Sequence, residues 1–130
     1  MSPRLIAIAS VAVGLLLSSV PSLAHHGSNV VYDLTDSVTI TGTVTRFQFV
    51  NPHALIFVEV TGEDGEVVEW LVGLPSASGL GSSEGWTRDT LKPGDEITII
   101  GAPARSGAPS LWTEQITRDG EPMLGSRYTG

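Results

Sequence analysis

Apolar and polar residues alternate from Val38 onward, with Val38, Ile40 and Val44 on one face and Thr39, Thr41, Thr43 and Thr45 on the other. A period of two built from β-branched residues predicts a half-buried strand. Gly42 interrupts the apolar face, as at a bend in a strand that curls around a small barrel. Beyond Arg46 the apolar set changes parity to Phe47 and Phe49, which requires a bulge. Asn51-Pro52 breaks the pattern. Residues 53–60 then predict a second strand, with Ala54, Ile56, Val58 and Val60 facing the core and His53 on the opposite face with Leu55, Phe57 and Glu59.

Residues 61–65 make a hairpin connection through Asp64-Gly65, and 67–72 return as a third strand. The Gly- and Ser-rich stretch 75–85 predicts a loop, 86–91 one or two helical turns, and Lys92-Pro93-Gly94-Asp95 a turn. Residues 96–100 and 111–118 supply a fourth and fifth strand, and the tail from Gly120 shows no pattern. Three strands, a short helical connection and two more strands are the plan of an all-β, five-stranded OB-like barrel, with a small open β-sandwich as the alternative.

The amino-terminal residues read as an address rather than as part of this domain. Arg4 gives one positive charge, the run 5–17 is uncharged and apolar, and Ser22-Leu23-Ala24 places small residues before a cleavage point. The run is shorter than the span of about 20 residues that a membrane helix needs. The expectation is a signal peptide over 1–24, cleaved after Ala24, and a single periplasmic domain over 25–130 that keeps no membrane span.

Composition narrows the chemistry. The chain of 130 residues has no cysteine, which excludes disulfides, zinc fingers and thiol nucleophiles, and its net charge of −7 argues against nucleic acid as a partner. No Gly-x-Ser-x-Gly or phosphate-cradling glycine motif occurs. Trp70, Trp86 and Trp112 read as packing residues, and Asp33, Asp36, Glu59 and Glu69 as a solvated face.

The three histidines are His25, His26 and His53. Cleavage after Ala24 leaves His25 first, with a free α-amine and an imidazole whose ordinary pKa values of about 8 and 6.5 make both easy to deprotonate and able to chelate one ion. A third nitrogen from His26 or His53 completes a tetragonal site that favours Cu(II), with zinc and nickel as competitors. A turn at 35–37 would lay 25–34 antiparallel along 38–48, put His25 opposite about Gln48, and gather the histidines at one end of the barrel. Pro52 fixes the backbone before His53, and Asn51 is placed to hydrogen-bond a ligating imidazole. The plain readings are a polar terminus at His25-His26 and a His53 bonded to a backbone carbonyl.

The chain also resembles a family of small exported bacterial proteins of uncharacterised function, a domain of unknown function whose mature chains begin Ala-His-His-Ser or similar. The resemblance rests on Ala24-His25-His26-Gly27-Ser28, Tyr32-Asp33, Val38-Thr39-Ile40-Thr41-Gly42-Thr43-Val44, Asn51-Pro52-His53-Ala54, Gly85-Trp86-Thr87-Arg88 and Leu91-Lys92-Pro93-Gly94-Asp95. It implies an exported small β domain and brings no activity or catalytic residues. Gly27 departs from it as an insertion.

Three function classes follow. The first is a periplasmic Cu(II) carrier or buffer using His25, His26 and His53. The second is a metal-independent module that binds a peptide, a saccharide or another envelope protein. The third, with least behind it in the sequence, is a mono-copper redox enzyme.

Overall fold

The computed structural model describes residues 31–125. Its strands are β1 (Val38–Gln48), β2 (Leu55–Thr61), β3 (Val67–Gly73), β4 (Glu96–Pro103), β5 (Ser110–Arg118) and β6 (Glu121–Leu124), with one helix, α1 (Ala77–Glu84), between β3 and β4. The order β3-β2-β1-β4-β5-β6 is antiparallel throughout, and a short parallel pairing of β3 with β5 closes the first five strands into a barrel. That is the five-stranded OB arrangement expected from the element order.

β1 carries the curvature. It pairs with β4 through Val38 to Thr43 and with β2 through Thr43 to Gln48, with a register shift between Val44 and Arg46. Ile40 and Val44 point inward before the shift, and Phe47 and Phe49 pack on the core after it, as the change of parity requires. A Cβ on Gly42 would collide with the backbone carbonyl of Glu59, so glycine lets β2 cross closely where β1 changes partners. Inside the barrel, Ile56, Val58, Val72, Ile97, Ile99, Leu111 and Ile116 are buried.

The connection between β3 and β4 departs from expectation. The 75–85 segment is a helix, not a loop, although Ala-Ser-Gly-Leu-Gly-Ser-Ser-Glu is a poor helix former. Tertiary contacts supply what propensity lacks. The N–H groups of Ala77, Ser78 and Gly79 donate to the Val50 carbonyl, Asn51 Oδ1 and Ser76 Oγ, so three of the donors a helix start leaves orphaned are satisfied. Gly85, at φ 71°, ends the helix in a left-handed cap, and Leu80 and the following Trp86 enter the core.

Residues 86–91, expected to be helical, form a turn instead. The Thr90 hydroxyl accepts from the Thr87 N–H, and the Thr87 hydroxyl accepts from the Asp89 N–H. Such side-chain bonds offer the backbone an alternative to the helix.

The tail holds a strand the alternation missed. Asp119 and Gly120, at φ 53° and 78°, turn the chain so that β6 pairs back on β5. Asp-Gly is a signal for such a hairpin, but the run after it is too short to alternate visibly.

Candidate functional site

The described chain begins beside the loop between β4 and β5. The Asp33 N–H donates to the Pro103 carbonyl and the Arg105 N–H to the Val31 carbonyl, so Tyr32 bridges to Ala104. Over residues 31–33 this corrects the expected pairing with β1, because the strap lies on the extension of β4; the rest of that expected pairing, residues 25–30, lies outside the described residues. The turn closes between Asp33 and Asp36 rather than at 35–37. It is held by Asp33 Oδ1, which accepts from the Thr35 hydroxyl at 2.7 Å and the Thr35 N–H at 3.1 Å, with Arg105 at 3.6 Å. These hydrogen bonds, above all that from the Thr35 hydroxyl, with a smaller contribution from the Arg105 charge, hold the Asp33 carboxyl below its ordinary 3.8.

This anchoring sets the Tyr32 ring against Trp112, with centroids 6.1 Å apart, and the Tyr32 hydroxyl 3.3 Å from Ser110 Oγ. His53 arrives at the same indole from the β1–β2 loop. Its ring meets Trp112 edge to face at 5.3 Å and an interplanar angle of 89°. Trp112 pairs in parallel register with Gly73, where a Cβ would stand 2.9 Å from the indole Cε3, so the missing side chain lets the ring lie flat on the sheet. His53, Trp112 and Tyr32 thus form one aromatic ledge on the outside of the barrel, between the β1–β2 and β4–β5 loops.

The ledge continues onto the outer faces of β2 and β3. Phe57 pairs with Leu71, and the Arg46 guanidinium lies 3.9 Å over the Phe57 ring. His53 is exposed and makes no hydrogen bond to another described residue, so the carbonyl-bonded strand-start reading finds no acceptor among them.

Of the expected site residues, His53 therefore stands on the ledge, and His25 and His26 lie outside the described residues. Asn51 does not serve His53. Its Oδ1 accepts from both the N–H and the hydroxyl of Ser78, and so belongs to the helix start. Trp112 and Tyr32 were not expected at the site. Trp112 reaches His53 through the parallel β3–β5 pairing and Tyr32 reaches Trp112 through the strap along β4, neither of which a local pattern reveals. Among the described residues no cluster of three His, Asp or Glu side chains forms a ready metal site.

Fold and site together define a small OB barrel bearing an aromatic–histidine ledge beside its β4–β5 loop. The model of a family of unknown function, DUF6152, matches residues 12–111, and the chain belongs to that family. No curated protein matches it. Among solved structures it is similar to two crystal forms of Rim1, described as mitochondrial single-stranded DNA binding proteins from S. cerevisiae. The first aligns with a TM-score of 0.48 at 9% identity, covering 65% of this chain and 92% of that one. The second gives 0.46 at 10%, covering 65% and 94%.

Proposed function

We propose that the protein is exported, loses residues 1–24, and binds a transition-metal ion, Cu(II) foremost, as a periplasmic carrier or buffer. The α-amine and imidazole of His25 chelate the ion, and His26 and His53 add further nitrogens. The observation that carries this reading is the shared contact on Trp112: Tyr32, the entry point of the amino-terminal segment, and His53 both lie against that ring. His26 stands six positions before Tyr32, and at about 3.3 Å per residue that segment reaches about 20 Å, enough to bring His25 and His26 to His53. Tetragonal nitrogen ligation suits Cu(II) over harder cations, and zinc and nickel compete for the same donors.

The ledge also supplies a reporter. A Cu(II) ion on the His53 imidazole sits next to the Trp112 indole and quenches its fluorescence. The test is a Cu(II) titration of the exported, processed protein followed by electron paramagnetic resonance. The expected outcome is one ion per chain with nitrogen hyperfine structure, and for His53→Ala a loss of affinity of at least about tenfold, the scale on which even indirect partners of metal ligands act. A protein that stays empty, or binds identically without His53, overturns the reading.

A further inference from the structure

The barrel closes along only part of β3. The Gly62 N–H donates to the Glu66 carbonyl and the Leu74 N–H to the Ala54 carbonyl, so the even-numbered positions of β3 bond toward β2. The Leu71 N–H donates to the Pro109 carbonyl, so the odd-numbered positions face the other way. On that side β5 takes up only Leu71 to Gly73, and farther along it pairs with β6 instead. The main-chain groups of Val67 and Glu69 therefore face an edge that has no strand partner among the described residues.

The side chains along this edge are apolar and acidic. Val67 is 58% exposed on the outer face, and Val68, on the inner face, is 40% exposed where the barrel wall stops. Trp70, the next inward residue, is half-buried at the margin of the core. On the outer face Glu59 stands directly opposite Glu69, a repulsive arrangement for two like charges. Glu63, Asp64 and Glu66 crowd the adjoining turn, and none of these five carboxylates is ion-paired with another described residue.

We propose that the β3 edge at residues 67–70 accepts a strand from a partner polypeptide: an extended segment with Lys or Arg at alternate positions and apolar residues between them. Val67 and Glu69 supply the ladder of main-chain hydrogen bonds, as in other strand additions. The basic side chains stand on the outer face beside Glu59 and Glu69, and the apolar ones cover Val68 and Trp70. A second copy of this chain is a poor occupant, because pairing two β3 edges brings two sets of these same unpaired carboxylates to one seam. The proposal is independent of metal binding, since His53 and Trp112 lie at the other end of β3.

The probe is a fluorescein-labelled peptide, acetyl-Lys-Val-Lys-Val-Lys-Val-Lys-amide, with a glutamate counterpart in place of lysine, read by anisotropy on the full processed chain. The lysine peptide binds, the glutamate peptide does not, and amide exchange slows at Val67 and Glu69. Reversing both charges, Glu59→Lys with Glu69→Lys, weakens binding by at least about tenfold, as like charges across an interface do. Val67→Pro removes one edge N–H while keeping the charge and the β2 ladder, and weakens binding similarly where circular dichroism shows the barrel intact. Unchanged binding in the charge-reversed protein, equal binding of both peptides, or a dimer in solution that protects these amides overturns the proposal. Equal binding by wild type and folded Val67→Pro reduces the contact to charge adsorption and overturns it as well.

Discussion

Asn51 and His53 are two residues apart and belong to different structures. Asn51 is part of the plugged end of the barrel, where its side chain and the Val50 carbonyl cap α1 and Leu80 and Trp86 fill the core. His53 is part of the ledge, exposed, touching one indole and holding nothing together. The first region is dense, satisfied and stabilising. The second is open, and His53 makes no hydrogen bond there to another described residue. The difference separates, within a single Asn-Pro-His motif, a residue that holds the helix start from an exposed one that packs only against an indole.

The separation makes distinct predictions. The largest effect falls on the plug: Leu80→Ala leaves a cavity against a fully packed core and lowers stability by about 2–5 kcal/mol in urea unfolding, with copper affinity of the folded fraction unchanged. Gly73→Val strikes the ledge. Its side chain meets the Trp112 ring, so it costs about 1–3 kcal/mol and alters the near-ultraviolet circular dichroism of the indole together with copper binding. Asn51→Ala strips the Ser78 N–H of its acceptor and costs about 1 kcal/mol. It leaves metal binding alone, whereas His53→Ala changes stability by no more than about 0.5 kcal/mol and impairs binding. A copper defect in Asn51→Ala as large as that in His53→Ala would erase the distinction.

Thr113 gives the smallest effect. It is 7% exposed, and its hydroxyl has no hydrogen-bond partner among the described residues, so Thr113→Val holds or slightly raises the melting temperature.

The strap that brings Tyr32 to the ledge has its own pH dependence. The folded-state carboxyl of Asp33 titrates below its ordinary 3.8, so its contribution is complete above that value and is lost as the pH falls through the lowered one. Amide exchange at Asp33 and Arg105 therefore speeds up in that acid range before the barrel strands open, and Asp33→Asn removes the pH dependence.

Much of the barrel is legible in the chain because one-sided burial writes itself as alternation. Ile40, Val44, Ile56 and Val58 mark their inward faces, and the parity change at Phe47 marks the bulge. α1 is illegible because its stability comes from Val50 and Asn51, far off in sequence. The ledge is half legible. A lone histidine after a proline stands out, but Trp112 joins it only through the parallel closure of β3 on β5, and Tyr32 only through the strap along β4. A local hairpin onto β1 is the shortest connection the sequence offers, but residues 31–33 run along the extension of β4, a long-range contact that no local pattern marks.

In the metal site proposed above, the terminal amine of His25 and the ring of His53 share one ion. Protein beginning at His25 is compared with the same protein acetylated at its α-amine, each titrated with Cu(II) while the Trp112 emission is followed against a Trp112→Phe control. Tight, stoichiometric quenching is expected for the first and a large loss of affinity for the second, whose chelating amine is blocked. Identical titration curves for the two proteins, or quenching that survives intact in Trp112→Phe, would contradict that shared site.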